Sequence, residues 1–131
     1  MTFPITSLYA VPIAVLLIGF SVTVSTLRGR FKVALGDGGQ PRLNEWMRRH
    51  ANLAENAPIV LLLLALAEAA GAGAVWLHGT GLIFLASRLI HPFGIDAARP
   101  GHPLRIVGGV GTSIATMIPA VCLAFILLRQ G

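Results

Sequence analysis

The sequence predicts an all-α fold, an integral membrane four-helix bundle, and three observations predict it. Of 131 residues, 55% are hydrophobic and 11% charged, too little polar surface for a soluble domain of this length. The apolar residues come in blocks, the first running from Ile5 to Leu27 without a charge. Glycine, proline and polar clusters separate the blocks, as expected where a chain reverses between helices.

At about 1.5 Å per residue the first block crosses a hydrocarbon core of roughly 30 Å. No Lys or Arg precedes it, and its apolar region exceeds the length of a signal h-region, so it reads as a retained helix over about 5–27. The small residues of Gly19-Phe20-Ser21-Val22-Thr23-Val24-Ser25 offer a surface for close helix approach. A basic loop follows from Arg28 to Arg49. Its Gly36-Asp37-Gly38-Gly39-Gln40-Pro41 segment lacks the Gly-Lys-Ser/Thr ending of a phosphate loop and reads as a tight reversal. The second helix is expected over about 45–70, with Glu68 snorkelling to the interface at its far end. Gly71-Ala72-Gly73 is a very short connection, so helices two and three form an antiparallel hairpin. Helix three spans about 74–91 and ends at Pro92 and Gly94. After a polar loop from Asp96 to Pro103, helix four runs over about 104–129. It opens on Gly108-Gly109-Val110-Gly111-Thr112-Ser113, a second small-residue surface.

The net charge of +5 does not point to nucleic acid, because the cations flank the apolar blocks and report topology. Arg28, Arg30, Lys32, Arg42, Arg48 and Arg49 lie in the first loop and Arg99 and Arg105 in the third. The termini and second loop offer only Arg129. The positive-inside rule then puts both long loops in the cytoplasm and both termini on the opposite side, the periplasm in a bacterial host. The lone Cys122 excludes an internal disulfide, and the sequence offers no thiolate metal site.

The chain is organised around Arg48-Arg49-His50-Ala51-Asn52-Leu53-Ala54-Glu55-Asn56-Ala57-Pro58, which leads straight into Ile59-Val60-Leu61-Leu62-Leu63-Leu64. Arg48, Asn52 and Glu55 share one helix face, and Pro58 favours a kink just beyond them. Charge at the edge of a membrane core pairs, lines a cavity or binds something. On the residues alone a ligand site and a basic anchor with a structural Arg–Glu pair both stand. With the predicted topology, Arg48, Asn52, Glu55, Arg88, His91 and Arg105 gather at one cytoplasmic level.

Arg48-x-x-x-Asn52-x-x-Glu55-x-x-Pro58 resembles the signature of the MAPEG proteins, the membrane-associated proteins of eicosanoid and glutathione metabolism. Val33-Ala34-x-Gly36-Asp37-Gly38-Gly39, Arg48-x-His50-x-Asn52 and Arg88-x-x-His91 resemble small bacterial inner-membrane members. The resemblance covers nearly the whole chain. It implies a homotrimer with glutathione, as co-substrate, bound between neighbours near the cytoplasmic face, and a lipophilic small-molecule substrate met among membrane lipids. The binding set it implies is Arg28, Arg30, Arg48, His50, Asn52, Glu55, Arg88 and His91, with Arg105 as activator of the thiol and Arg99 in reserve. Arginine forks suit glutathione's carboxylates and Glu55 its ammonium.

The chain also departs from the family pattern. Asn56 stands where an aromatic residue usually follows the motif glutamate. Phe93 or Ile95 replaces a tyrosine, and Ile106 and Gly109 replace hydroxyl residues of the prostaglandin-synthase branch. The only tyrosine, Tyr9, is on the opposite side. An eicosanoid isomerase is therefore not expected. The expectation is a glutathione transferase or peroxidase acting on lipophilic electrophiles. The alternatives are a non-catalytic glutathione- or lipid-binding module and a small multidrug exporter. The exporter is disfavoured because its essential Glu belongs in the first span, which here is uncharged.

Overall fold

A computed structural model describes residues 2–130. Four helices follow in order: α1 (Pro4–Phe31), α2 (Pro41–Ala69), α3 (Ala74–Ile90) and α4 (Pro103–Gln130), with a 3-10 turn His91–Gly94 after α3. No strand occurs among the described residues. Helices α1, α2 and α4 are each long and apolar enough to cross a membrane. The 17-residue α3 extends about 26 Å before its 3-10 turn.

The helices outrun their apolar blocks. Pro41 opens α2 at its first turn, where a fixed φ and a missing N–H cost nothing. The stretch from Pro41 to Asn44, ahead of the expected start near residue 45, is therefore helical rather than loop. Likewise α1 continues through Arg28 and Arg30 to Phe31, placing both cations at a C-terminus whose dipole favours them. It stops at Lys32, whose left-handed φ of 56° lets the Val33 N–H close on the Arg28 carbonyl at 3.0 Å. The reversal that follows holds Gly36, Gly38 and Gly39 at φ of 66°, 57° and 73°, which only glycine adopts freely.

α1 packs chiefly on α2, and α3 on α4. Ile13, Phe20, Leu53, Ala57, Val60, Phe84 and Ala115 form the main core, drawn from all four helices. Tyr9, Leu64, Ala67 and Leu77 form a second cluster toward the α2–α3 connection. Most other apolar side chains of α1 and α4 point outward, among them Val15, Ile18, Val110 and Val121, as expected of helices that face lipid.

One expectation about a charged residue is corrected by the packing, and the expected α4 packing surface finds its partner. Glu68 does not snorkel. Its carboxylate accepts the N–H groups of Ile5 and Thr6 at 2.9 and 2.8 Å and the Thr6 hydroxyl at 2.6 Å. It thus caps the open N–H groups of α1 from a neighbouring helix. Glu68→Ala is expected to lower stability by about 1.5–3 kcal/mol, the worth of hydrogen bonds to a charged group, read as earlier thermal unfolding in detergent. An unchanged midpoint would return Glu68 to the role of an interface anchor.

The α4 glycines, in turn, pack inside the subunit. A Cβ on Gly108 would meet His91 Cβ at 2.6 Å, and one on Gly111 would strike the Ser87 hydroxyl. Their absence of side chains lets α4 close on α3. The α1 small-residue face is different: Gly19, Ser21 and Ser25 are exposed.

Candidate functional site

The site is built from the N-terminal half of α2 outward. Asp37 accepts the Gly39 N–H at 2.9 Å and the Asn44 amide at 2.6 Å, tying the first loop to the start of α2. Across α2, Glu45 accepts the Ala97 N–H at 3.0 Å, and Arg49 donates to the Ile95 carbonyl at 2.8 Å. Arg49 also lies 3.7 Å from Glu45 and stacks 4.7 Å above Trp46. The second long loop is thereby fastened to α2. Its other side is clamped at Gly94, where any Cβ would collide with the backbone of Arg105.

Between these fastenings lies a cleft of about 440 Å³, whose lining includes Arg48, Arg105, Asp37, Glu45 and Asp96. Two of the sequence-derived candidates, Arg48 from α2 and Arg105 from α4, thus face one space. Arg105 is exposed and makes one long contact, 3.3 Å, to the Pro100 carbonyl, so its guanidinium has donors to spare.

One turn along α2 from Arg48, the polar residues go inside. Arg88 is 3% exposed. It donates to Asn52 Oδ1 at 2.6 Å, to the Gly108 carbonyl at 2.9 Å and to the Thr112 hydroxyl. Thr112 passes its own proton to the Gly108 carbonyl at 2.8 Å. The guanidinium also lies 5.9 Å from the Phe84 ring one turn earlier, a favourable cation–π placement. No carboxylate touches Arg88 among the described residues. Three helices are therefore joined through one buried cation whose charge is spread over neutral acceptors.

The remaining candidates divide by position. His91, in the turn beyond α3, is buried against Gly108. Burial, followed by the nearby Arg88 and Arg105 cations, lowers its pKa from 6.5 to about 4, so the imidazole is neutral in the folded protein at neutral pH. An unfolded chain binds more protons than the folded one between those values, so stability rises with pH across that window. Acidification from pH 6.5 toward 4 is expected to destabilise the wild type more than His91→Gln, measured by thermal unfolding at each pH. Equal pH dependence in both would contradict a neutral buried His91.

Glu55 is exposed on the same side of α2 as Arg48, and no intrachain ion pair between them occurs among the described residues. The structural Arg–Glu pair is thus not formed within the subunit. Asn56 folds its amide back to the Asn52 carbonyl at 2.7 Å. His50 is half-buried and lies outside the cleft lining. Arg28 is engaged locally, donating to the Ala34 carbonyl at 3.1 Å and to Met47 Sδ at 3.4 Å. Arg30 is exposed on the last turn of α1, and neither arginine lines the cleft of Arg48 and Arg105. Tyr9 lies at the opposite end, its hydroxyl 3.0 Å from His78 Nδ1.

Sequence reasoning missed Thr112 as a partner of Arg88 and Arg49 as the fastening of the second long loop. Thr112 has a legible signal, since it sits four residues after Gly108 and its hydroxyl can bond that carbonyl. Arg49 has none, because its partner is a backbone carbonyl in a loop.

The chain as a whole is similar to known proteins. The chain is 41% identical over 90 residues to "Inner membrane protein YecN" of Escherichia coli strain K12, covering 69% of each chain. The protein of that name in Escherichia coli O6:H1 matches to the same extent. The MAPEG family matches residues 6–125. With its helices, its outward apolar faces and the Arg48–Asn52–Glu55 stretch in the N-terminal half of α2, this chain belongs to the MAPEG family of membrane proteins.

Proposed function

We propose that the protein is a multi-pass inner-membrane protein that binds glutathione in the cleft of Arg48 and Arg105 and transfers its sulfur to lipophilic electrophiles. The observation that carries the reading is that cleft, where two arginines from different helices stand exposed with carboxylates at its rim. Glutathione presents two carboxylates, an ammonium and a thiol. Arginine forks match carboxylates bidentately, and a carboxylate on α2 suits an ammonium.

Glu55 is exposed without an intrachain partner among the described residues, two turns along the same face of α2 from Arg48. A neighbouring copy in a homotrimer brings its own surface to this face, and the exposed Ser21 and Ser25, one turn apart on α1, permit close approach of helices. The loops that bear the cations lie in the cytoplasm and the termini in the periplasm, by the positive-inside rule.

In the reaction the thiol first loses its proton to solvent, and Arg105 holds the resulting thiolate. The sulfur then donates its electron pair to an electrophilic carbon, and the leaving group departs with the bonding pair. With a hydroperoxide as acceptor, the thiolate attacks the distal oxygen and the O–O bond breaks. The departing alkoxide takes a proton from solvent to leave as the alcohol, and a second glutathione attacks the resulting sulfenic acid to give the disulfide and water.

Turnover of a chlorinated nitroaromatic by the purified, detergent-solubilised protein tests the reading. Enzyme-dependent release of chloride supports it. Binding of glutathione without turnover would favour a non-catalytic module. The observation behind that second reading is that no serine, threonine or tyrosine lines the cleft among the described residues.

A further inference from the structure

On the other side of α2 from the cleft, a groove of about 220 Å³ is lined by Leu16 and Phe20 of α1, Trp46 and Arg49 of α2, Leu89 of α3, and Pro92 and Phe93 of the turn. Every lining side chain but one is apolar. A cavity of roughly 150 Å³ accommodates a benzene ring, so this groove admits a length of acyl chain but not a whole lipid. It opens outward, with Leu89 50% and Phe93 74% exposed.

Its one polar residue is a cation with unused capacity. Both contacts of Arg49, to the Ile95 carbonyl and to Glu45, use Nη2. Its Nε is buried without a partner among the described residues. Glu45 offsets the charge only in part, because 3.7 Å is too long for a hydrogen bond and its other oxygen accepts the Ala97 N–H.

From this we infer that the groove is a binding site for an anionic phospholipid of the surrounding bilayer. One acyl chain lies along Leu16, Phe20, Leu89 and Phe93, and the phosphate meets the Nη1 edge of Arg49, which no intrachain hydrogen bond uses among the described residues. Charge complementarity selects this occupant, since basic pockets between membrane helices take anionic head groups, and a neutral lipid would leave the guanidinium unmatched. The Trp46 ring, edge-on to Phe20 at 5.7 Å and beneath Arg49 at 4.7 Å, forms the wall between head and chain. The site is separate from the glutathione cleft and does not depend on that reading.

Trp46 is also the reporter. In a Trp76→Phe background it is the remaining tryptophan of the two. The full chain is reconstituted into phosphatidylcholine vesicles. These contain either phosphatidylglycerol or phosphatidylcholine with chains brominated near the head group, at equal mole fraction. Quenching of Trp46 is expected at about fivefold lower mole fraction of the brominated phosphatidylglycerol, the preference one cation near the surface supplies. Arg49→Gln is expected to abolish the preference. Leu89→Phe, which fills the groove while keeping every cation and the Ile95 fastening, is expected to abolish it too. Equal quenching by the two lipids would overturn the proposal. So would a full preference in Leu89→Phe, which assigns it to the basic belt at large. Absence of quenching by either lipid would also overturn it, because a second copy then covers the groove.

Discussion

Arg88→Ala is expected to destabilise the subunit by about 3–5 kcal/mol, combining a buried cavity with acceptors stripped of their donor. Asn52 Oδ1, part-buried, and the Thr112 hydroxyl, buried, each lose the donor that Arg88 supplies. The seam between α3 and α4 suffers most, because Gly108 and Gly111 bring these helices together around the guanidinium. Arg88→Lys keeps the charge but not the fork. It cannot reach Asn52 on one side and Thr112 on the other at once, so it is expected to rescue only part of the loss. Thermal unfolding in detergent, followed by size exclusion, reads both. A wild-type midpoint in Arg88→Ala would show that the three-helix junction carries little of the stability.

Arg105→Ala is expected to remove most of the thiolate formed on adding glutathione at neutral pH. A free thiol with pKa about 8.5 is only a few per cent ionised there. A cation beside the sulfur lowers that pKa, and each unit multiplies the thiolate about tenfold while it is the minor species, equivalent to about 1.4 kcal/mol. With Arg105 gone, the midpoint of the ultraviolet thiolate titration should move up toward the free value, and the rate at neutral pH should fall with it. Arg48→Ala and Glu55→Gln should weaken binding instead, each by about 1.5–3 kcal/mol, with the midpoint of bound glutathione unmoved. If Arg105→Ala keeps both thiolate signal and midpoint, Arg105 is a topological anchor and the sulfur lies elsewhere.

The four helices were legible because apolar blocks and turn residues are local signals. The α2–α3 hairpin followed from a connection of three small residues. Asn52, Arg88 and His91 were legible as polar residues at one depth, and the first two do meet. Rotation about each helix axis was not legible, since a block that is apolar all round does not say which face is inside. Hence Gly108 and Gly111 read only as a packing surface, with nothing to say that α3 is the partner. Glu68 read as snorkelling for a related reason: hydropathy gives its depth but not the open N–H groups of Ile5 and Thr6 opposite it. Helix ends were misjudged where polar residues continue a helix past its apolar block, as at Arg28 to Phe31 and at Pro41 to Asn44. The split of the site into an inner junction around Arg88 and an outer cleft of Arg48 and Arg105 required side-chain directions that spacing does not carry.

Calorimetric titration of glutathione into the purified wild-type protein tests the central claim most directly. The account predicts saturable binding with Kd at or below about 1 mM, equivalent to roughly −4 kcal/mol, weakened at least tenfold in Arg48→Ala. No saturable heat at concentrations well above that, from protein that elutes as a single folded species, would contradict a glutathione site in the cleft.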